Sequence, residues 1–236
     1  MCLRIPRKRF SKGAGPFPDL AGLGRAAVAS ALTALREGSP GSHLTAVDAT
    51  CGNGHDTLFL AEILASLPDI GARFSVLSFD VQAAALQAAG VLTGGLPDAV
   101  RRRIFWLLQS HDTLRESLER FSAEGMVSGA SPGLAAAMYN LGFLPRSDKQ
   151  VTTTPPTTLA SLAQAAAVLL PGGLICIHAY GGHPGGAREL AAVEAWCADL
   201  PFEVWAVARY AVCDKKRNPE ALFLAWKRIA SGQQGE

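Results

Sequence analysis

Two patterns of apolar residues alternate along the chain: short apolar runs, and longer stretches in which apolar residues recur every three or four positions. The short runs predict buried strands, and the longer stretches predict amphipathic helices. Strands are predicted at 44–49, 74–80, 104–108, 134–139, 174–179, 202–210 and 221–227. Helices are predicted at 20–36, in the stretch that ends at 66, and at 81–92, 113–121, 156–170 and 187–200. Because strands that alternate with helices form parallel sheets with right-handed crossovers, the predicted fold class is α/β.

The length of 236 residues suits one α/β domain, predicted over residues 20–236, and no internal repeat is evident. Residues 1–19 form a separate extension that is rich in Gly and Pro. No acid precedes Asp19, and the extension is basic through Arg4, Arg7, Lys8, Arg9 and Lys12. Three interpretations stay open for it: a flexible native tail, an arm that contacts RNA phosphates, and an organelle transit peptide.

Composition argues against several classes of protein. The formal net charge of +2 is too small to predict a nucleic-acid partner by itself. The cysteines are odd in number, widely spaced and without a C-x-x-C pair, which argues against a disulfide framework or a zinc knuckle and fits a reducing compartment such as the cytoplasm. No apolar run reaches the ~18–20 residues that cross a bilayer, so we predict no membrane span. The spacing of the cysteines gives no reason to predict a metal site.

A glycine-rich turn follows the first predicted strand, in the segment D-A-T-C-G-N-G-H-D-T from Asp48 to Thr57. Gly52 and Gly54 lack a Cβ, so the backbone can turn sharply and approach a ligand. A dinucleotide-binding fingerprint needs a third glycine where Thr57 stands, and that interpretation therefore fails. The spacing Asp48-x-Thr50-x-Gly52-x-Gly54 instead resembles motif I of class I methyltransferases that use S-adenosyl-L-methionine (SAM).

Polar residues also follow the next two predicted strands, at the edge where ligands bind in open α/β sheets. Asp80 ends the second strand, and its two oxygens can accept both hydroxyls of a ribose. Gln82 can reach the adenine or ribose edge. His111 and Asp112 follow the third strand and are placed to hold an adenine amino group, although Asp112 equally suits a helix cap.

The fourth strand and a later loop supply candidates for an acceptor pocket. Asn140 can hold an attacking amine through its carbonyl oxygen, or it can cap the loop that follows. His183 and the glycines around it can shape the pocket, or they can make a tight turn. Neither choice is decided by the residues alone.

Longer segments resemble one family of methyltransferases. D-A-T-C-G-N-G-H-D-T-L-F-L-A is similar to the opening signature of the YtqB/MnmM family, often described as rRNA methylases. The match continues at 79–82 and is strongest at Y-N-L-G-F-L-P (139–145) with Asp148, Lys149, Thr152 and Thr153. It resumes at P-G-G-L (171–174) and G-H-P-G-G (182–186), and it covers about 45–227. The basic extension departs from the family, whose chains begin near the first helix.

The resemblance implies a class I methyltransferase (Rossmann-like) fold: a seven-stranded, mostly parallel sheet with an antiparallel last strand and helices on both faces. It implies SAM as the cofactor and a tRNA anticodon stem-loop as the partner. The acceptor is the 5-aminomethyl group of the wobble 2-thiouridine, which becomes 5-methylaminomethyl-2-thiouridine. A homodimer is a family-level expectation.

The predicted site has three groups of residues. Asn140 and Tyr139 are the catalytic candidates, because they can hold the amine. The predicted cofactor-binding residues are Asp48, Thr50, Gly52, Asn53, Gly54, His55, Asp56, Thr57, Asp80, Gln82, His111 and Asp112. The predicted substrate-binding residues are Leu141, Gly142, Asp148, Lys149, Thr152, Thr153, His183 and Gly185.

Three alternatives remain: a methyltransferase acting on ribosomal RNA, one acting on a small molecule, and a SAM-binding protein without turnover. A small-molecule enzyme has no need for Lys149 or the basic extension. A protein without turnover is expected to lose Asn140 or the loop after it. A nicotinamide-dependent reductase is disfavoured by Thr57.

Overall fold

The computed structural model describes residues 19–71, 73–126, 133–142, 152–212 and 219–229. The strands in these ranges are β1 (Leu44–Asp48), β2 (Phe74–Asp80), β3 (Ile104–Leu108), β4 (Leu134–Leu141), β5 (Leu169–Tyr180), β6 (Trp205–Ala211) and β7 (Glu220–Lys227). The helices are α1 (Leu20–Gly38), α2 (His55–Ser66), α3 (Ala83–Leu92), α4 (Asp98–Arg101), α5 (Leu114–Ala123), α6 (Pro155–Val168) and α7 (Gly186–Ala198).

The strands form one seven-stranded sheet in the order β3-β2-β1-β4-β5-β7-β6. Neighbours from β3 to β5 pair in parallel, whereas β7 runs antiparallel to both β5 and β6. The predicted α/β class and the reversed last strand are therefore confirmed. The strand order changes direction between β1 and β4, and such a switch point opens a crevice at the carboxyl ends of the strands.

Helices cover both faces of the sheet because alternate strand residues point to opposite sides. One apolar layer packs α1 and α2 on the sheet, and its members include Val28, Leu32, Ala46, Leu60, Leu64 and Val76. The other packs α5, α6 and α7, and its members include Val47, Leu77, Leu118, Leu162, Ile175 and Val193. The two layers hold the sheet rigid, so the strand ends keep fixed positions relative to one another.

Helix α1 lies unusually close to the sheet. A Cβ built on Gly24 would come within 2.8 Å of the Cys176 Sγ atom and 3.2 Å of the Leu222 side chain, so only glycine permits this approach. The helix begins where the Asp19 carboxylate accepts a hydrogen bond from the Gly22 N–H at 2.6 Å. The close packing brings Arg25, one residue later, to the carboxyl ends of the strands.

The boundaries of β5 were predicted wrongly. The sequence patterns predict a helix at 156–170 and a strand that begins at 174, but β5 already begins at Leu169. Its pairing with β4 slips between Leu134↔Leu169 and Ala136↔Leu174, so the Pro-Gly-Gly residues form a bulge inside the strand. Gly172 has a φ of 86°, which glycine tolerates and most residues do not.

Candidate active site

A cavity of about 1320 Å³ lies at the switch point, over the carboxyl ends of β1 to β5. Many of the predicted site residues line it: Thr50, Gly52, Asn53, His55, Asp56, Asp80, Gln82, His111, Asn140, Leu141, Gly142, Thr152, Thr153 and His183. Other predicted residues in the described part of the chain stand outside its lining: Asp48, Gly54, Thr57, Asp112, Tyr139 and Gly185. Asp148 and Lys149 lie outside the described residues.

Asp48 and Thr57 shape the glycine turn from beneath. Both are fully buried, and the Thr57 hydroxyl donates to the Asp48 carboxylate at 2.7 Å while lying 2.9 Å from the Ser78 Oγ. The Thr50 N–H donates to the other Asp48 oxygen at 3.3 Å. Burial, reinforced by the nearby Asp56 carboxylate, raises the pKa of Asp48 above its ordinary value. These contacts fix the backbone of the turn without exposing Asp48 to the cavity.

Gly54 is required by packing between helices. It has a φ of 84° at the start of α2, in the left-handed region that favours glycine. A Cβ at this position would lie 2.5 Å from the Ala89 Cβ on α3. Gly54 therefore allows α3 to pack against the turn, and its contribution to ligand binding is indirect.

Asp80 has a fixed carboxylate on the cavity wall. One oxygen accepts the Gly52 N–H at 2.9 Å, and the other accepts the Gln82 N–H at 2.9 Å. Each oxygen keeps a second lone pair, so the carboxylate can accept two further hydrogen bonds. This arrangement fits the vicinal hydroxyls of a ribose.

His111 lies beside the same end of the cavity and is only 7% exposed. Within the described ranges, its Nε2 atom is buried and has no hydrogen-bond partner. Burial lowers the pKa of His111, with Asp112 and Asp80 opposing that shift, so the imidazole is neutral near pH 7. A buried ring nitrogen without a partner suits a ligand atom that can donate or accept, as the edge of an adenine can.

Asp112 is linked to α6 through its backbone. Its carbonyl accepts a hydrogen bond from the Gln164 Nε2 on α6 at 2.6 Å. His111, Asp112 and Thr113 form a short 3₁₀ turn ahead of α5, and the residue at the cap position of α5 is Thr113.

Asn140 is held in one orientation by a chain of charged groups. Its Nδ2 donates to an Asp56 oxygen at 2.5 Å, and the second Asp56 oxygen accepts from Arg25 through Nε at 2.7 Å and Nη2 at 2.6 Å. A carboxylate can only accept, so the amide nitrogen must face Asp56 and the amide oxygen must face away. The Asn140 N–H also donates to the Thr50 hydroxyl at 2.6 Å, which ties β4 to the glycine turn.

Tyr139 lies on the opposite face of β4 from Asn140, since successive strand residues alternate sides. It is 1% exposed, and its hydroxyl lies 2.9 Å from the Ser161 Oγ on α6. Burial raises the pKa of Tyr139 further above its ordinary value. Its hydroxyl is thus engaged in the core, and its ring meets the His111 ring edge-on at a centroid distance of 6.0 Å.

The predicted acceptor side is held together by Thr153. The Gly142 N–H donates to the Thr153 hydroxyl at 2.9 Å, and the Thr153 N–H donates to the Gly142 carbonyl at 3.1 Å. The buried Glu189 carboxylate then accepts from the hydroxyls of Thr153 and Thr158, both at 2.7 Å. Glu189, which the sequence patterns did not single out, therefore pins the threonine-rich segment to the end of β4.

The loop around His183 closes the same side of the cavity. Gly142 has a φ of 147°, and a Cβ built there would lie 3.4 Å from the His183 Nε2. Gly185 has a φ of 85° and directly precedes α7, so it belongs to the turn. His183 therefore packs against the end of β4, where it narrows the acceptor side.

A second polar group borders the cavity and escaped the motif analysis. The Tyr180 hydroxyl lies 3.0 Å from the His178 Nδ1, and the His178 Nε2 lies 3.9 Å from a Glu220 oxygen. Tyr180 and Glu220 line the cavity. Only the histidine within the apolar fifth strand could have indicated this group from the sequence.

The described residues lack two other kinds of feature. No cluster of three or more His, Cys, Asp or Glu residues is placed to hold a metal ion in the described ranges. No helix in those ranges has the length and apolar character needed to cross a membrane.

The fold is similar to that of solved methyltransferases. A "putative rRNA-methylase" from Clostridium thermocellum superposes with a TM-score of 0.69 at 24% identity, covering 89% of this chain and 98% of that one. SMU.1697c, a "putative methyltransferase" from Streptococcus mutans in complex with SAH, gives a TM-score of 0.68 at 24% identity, covering 89% and 99%. These likenesses confirm the class I methyltransferase fold.

Sequence comparisons identify the family. A curated relative from Arabidopsis thaliana, "tRNA (mnm(5)s(2)U34)-methyltransferase, chloroplastic", is 31% identical over 181 residues, which is 76% of this chain. The match spans 62% of that relative, less than two thirds of its length. The family profile described as "Putative rRNA methylase" matches residues 76–225. The chain therefore belongs to this methylase family, and the family predicted from the sequence is confirmed.

Proposed function

We propose that this methyltransferase transfers a methyl group from SAM to the 5-aminomethyl group of the wobble 2-thiouridine in tRNA. The observation that carries the proposal is the fixed amide of Asn140, which stands in one cavity with the Asp80 carboxylate. A donor-binding group and an amine-binding group therefore share one space. The name of the plant relative supports tRNA as the acceptor.

The donor half of the cavity suits SAM. Asp80 would accept the ribose hydroxyls, and Gln82 and His111 would face the adenine, while the glycine turn would border the methionine portion. The Streptococcus mutans protein with this fold binds SAH, the product that SAM leaves after methyl transfer. When bound, SAM supplies a methyl group on a sulfonium, an activated donor that an amine can attack directly.

Asn140 orients the acceptor. In the described part of the chain, its Oδ1 has no hydrogen-bond partner, while Nδ2 is committed to Asp56. The oxygen can accept a hydrogen bond from the substrate amine and direct the nitrogen lone pair towards the donor. Holding two reactants in line can supply roughly 7–11 kcal/mol of the barrier reduction, which makes alignment the main contribution of the protein.

The acceptor must be a neutral amine when it attacks. A cavity of low polarity disfavours the ammonium form and lowers the pKa of a buried amine. The apolar lining from Leu141 and Phe79 contributes to such an environment. Asn140 is uncharged and therefore does not oppose deprotonation.

The acceptor side suits a single-stranded nucleotide. Bases in RNA loops can be splayed out and bound one at a time, as a wobble base in an anticodon stem-loop would be. Thr152 and Thr153 line the cavity, and Asp148 and Lys149, which lie close to them in sequence, are further candidates for RNA contacts.

The cytoplasmic location and the homodimer both stay predictions.

The experiment compares three acceptor pools with labelled SAM: total tRNA from a strain that lacks this methyl group, ribosomal RNA from the same strain, and a panel of small primary amines. We expect label in tRNA. Label in ribosomal RNA alone would favour the second candidate function, to which the family description points. Label only in the small amines would contradict an RNA acceptor.

A further inference from the structure

We propose that Tyr180, His178 and Glu220 form a proton relay that deprotonates the acceptor amine. This inference rests on the proposed function, since it requires an amine substrate. The relay would remove a proton from the amine. Asn140 cannot do this, because a carboxamide holds an amine but does not remove its proton.

The three side chains lie next to one another at the cavity, with the Tyr180 hydroxyl at hydrogen-bond distance from His178 and Glu220 at ion-pair distance from it. The Tyr180 hydroxyl is 3.0 Å from the His178 Nδ1, and the two rings stack with centroids 4.2 Å apart. The opposite ring nitrogen, Nε2, is 3.9 Å from a Glu220 oxygen. His178 is 6% exposed, whereas Tyr180 is 37% exposed, so the phenol is the end that meets substrate.

Strand topology places this chain beside Asn140. Asn140 and His178 are register partners on the parallel strands β4 and β5, so their side chains point to the same face. Asp56, Asn140 and His178 also share the lining of a small void of about 10 Å³ beneath the main cavity. The Tyr180 ring lies 3.9 Å from the position of a Cβ on Gly142, two residues after Asn140.

The reversed last strand supplies the carboxylate. Because β7 runs antiparallel to β5, its first residue, Glu220, pairs with the last residue of β5, Tyr180. A parallel strand would put its first residue at the far edge of the sheet. The reversal thus brings an acid to the edge where the substrate binds.

The relay moves one proton from the substrate ammonium to His178. The substrate ammonium gives a proton to the Tyr180 oxygen as the Tyr180 hydroxyl proton passes to the His178 Nδ1. The nitrogen lone pair then forms a bond to the methyl carbon, the C–S bond breaks, and its electron pair stays on sulfur. The products are a secondary ammonium, a neutral thioether and an imidazolium, which carry the same total charge as the reactants. His178 returns its proton to solvent before the next turnover.

The surroundings favour this direction of transfer. Burial, followed by the Glu220 carboxylate, raises the pKa of Tyr180 to about 12, so the phenol stays protonated and relays a proton without becoming a phenolate. Among the described residues, the charged groups that act on it are Glu220 from β7, Asp56 from α2, Arg25 from α1 and Asp19, which precedes α1. The Glu220 carboxylate, 3.9 Å from the His178 Nε2, is placed to stabilise a cation on His178.

The test measures kcat for tRNA methylation in Tyr180→Phe and Glu220→Gln, with Glu203→Gln as the matched control. Glu203 is exposed in the loop before β6, at the opposite edge of the sheet from the cavity. General acid–base catalysis contributes about 10²–10⁴-fold, so we expect Tyr180→Phe to lower kcat at neutral pH by at least about 10²-fold. SAM affinity and melting temperature should stay at the wild-type values.

A pH series separates a relay from a structural role. Above the pKa of the substrate amine the relay is unnecessary. The loss of kcat in both variants, relative to the wild type, should therefore shrink as the pH rises. A deficit that is constant with pH, or an unchanged kcat, would overturn the relay. Wild-type protein that fails to methylate amine-bearing tRNA would instead overturn the proposed function, and the relay with it.

Discussion

The side chain of Asn140 has a single orientation because Asp56 accepts from its nitrogen and Arg25 holds Asp56. We therefore expect Asn140→Ala to lower kcat by at least about tenfold through lost alignment of the amine. SAM affinity should survive, since the donor-side contacts of Asp80 are unaffected. Calorimetry for SAM and single-turnover rates at saturating SAM measure the two effects. Lost SAM affinity with normal turnover at saturating SAM would contradict the role.

We propose that donor affinity depends most on Asp80, whose carboxylate faces the cavity. Hydrogen bonds to a charged group contribute about 1.5–3 kcal/mol, so Asp80→Ala should weaken SAM binding by roughly tenfold to a hundredfold. Asp199→Ala, at the exposed end of α7, is the matched control and should bind SAM normally. If titration calorimetry gave an unchanged SAM affinity for Asp80→Ala, that result would contradict the proposed contact between Asp80 and the ribose.

At the scale of elements, α2 and α3 meet through Gly54. An added Cβ would overlap the Ala89 side chain, and the backbone would be strained in the left-handed region. Overpacking costs about 1–3 kcal/mol, so Gly54→Ala should lower the free energy of unfolding by at least that amount. Urea unfolding measures the change.

Gly90→Ala on α3 is the control for that substitution, because a Cβ there meets no atom within 4 Å. Alanine in a helix is favoured over glycine by about 0.5–1 kcal/mol, so this variant should be as stable as the wild type or slightly more. A Gly54→Ala protein with the stability of the Gly90→Ala protein would show that α3 can move away from the turn.

Local patterns were sufficient to predict that several site residues lie together at the cavity. Thr50, Gly52 and His111 follow predicted strands, Asp80 ends one, and parallel strands end at one edge of the sheet. The same reasoning could not decide which polar residues face the cavity. Asp48 ends β1 and yet is fully buried beneath the turn.

Contacts that depend on tertiary packing were not predictable in this way. Arg25 reaches Asp56 because α1 packs closely on the sheet, across a sequence separation of 31 residues. Glu220 reaches Tyr180 because β7 is inserted antiparallel beside β5. Neither contact belongs to a local motif, and β5 itself begins earlier than its Pro-Gly-Gly sequence indicates.

For the molecule as a whole, charge is distributed unevenly between the basic extension, residues 1–19, and the rest of the chain. We expect deletion of residues 1–18 to weaken tRNA binding and leave SAM affinity unchanged, because five basic residues are lost. Each phosphate contact on a single strand contributes about 0.7 to the slope of log affinity against log salt, so the slope should become shallower. Filter binding at several salt concentrations measures it. An unchanged slope of log affinity against log salt would contradict the interpretation of the extension as an arm that contacts RNA.

The central claim is that the methyl group is transferred to a particular nitrogen atom in tRNA. The most direct measurement incubates the protein with SAM and tRNA that carries 5-aminomethyl-2-thiouridine at the wobble position, followed by digestion and mass spectrometry of the nucleosides. The account predicts conversion of that nucleoside to 5-methylaminomethyl-2-thiouridine. A methyl group on a ring atom, on a ribose or on any other nucleoside, with the aminomethyl group unchanged, would contradict it.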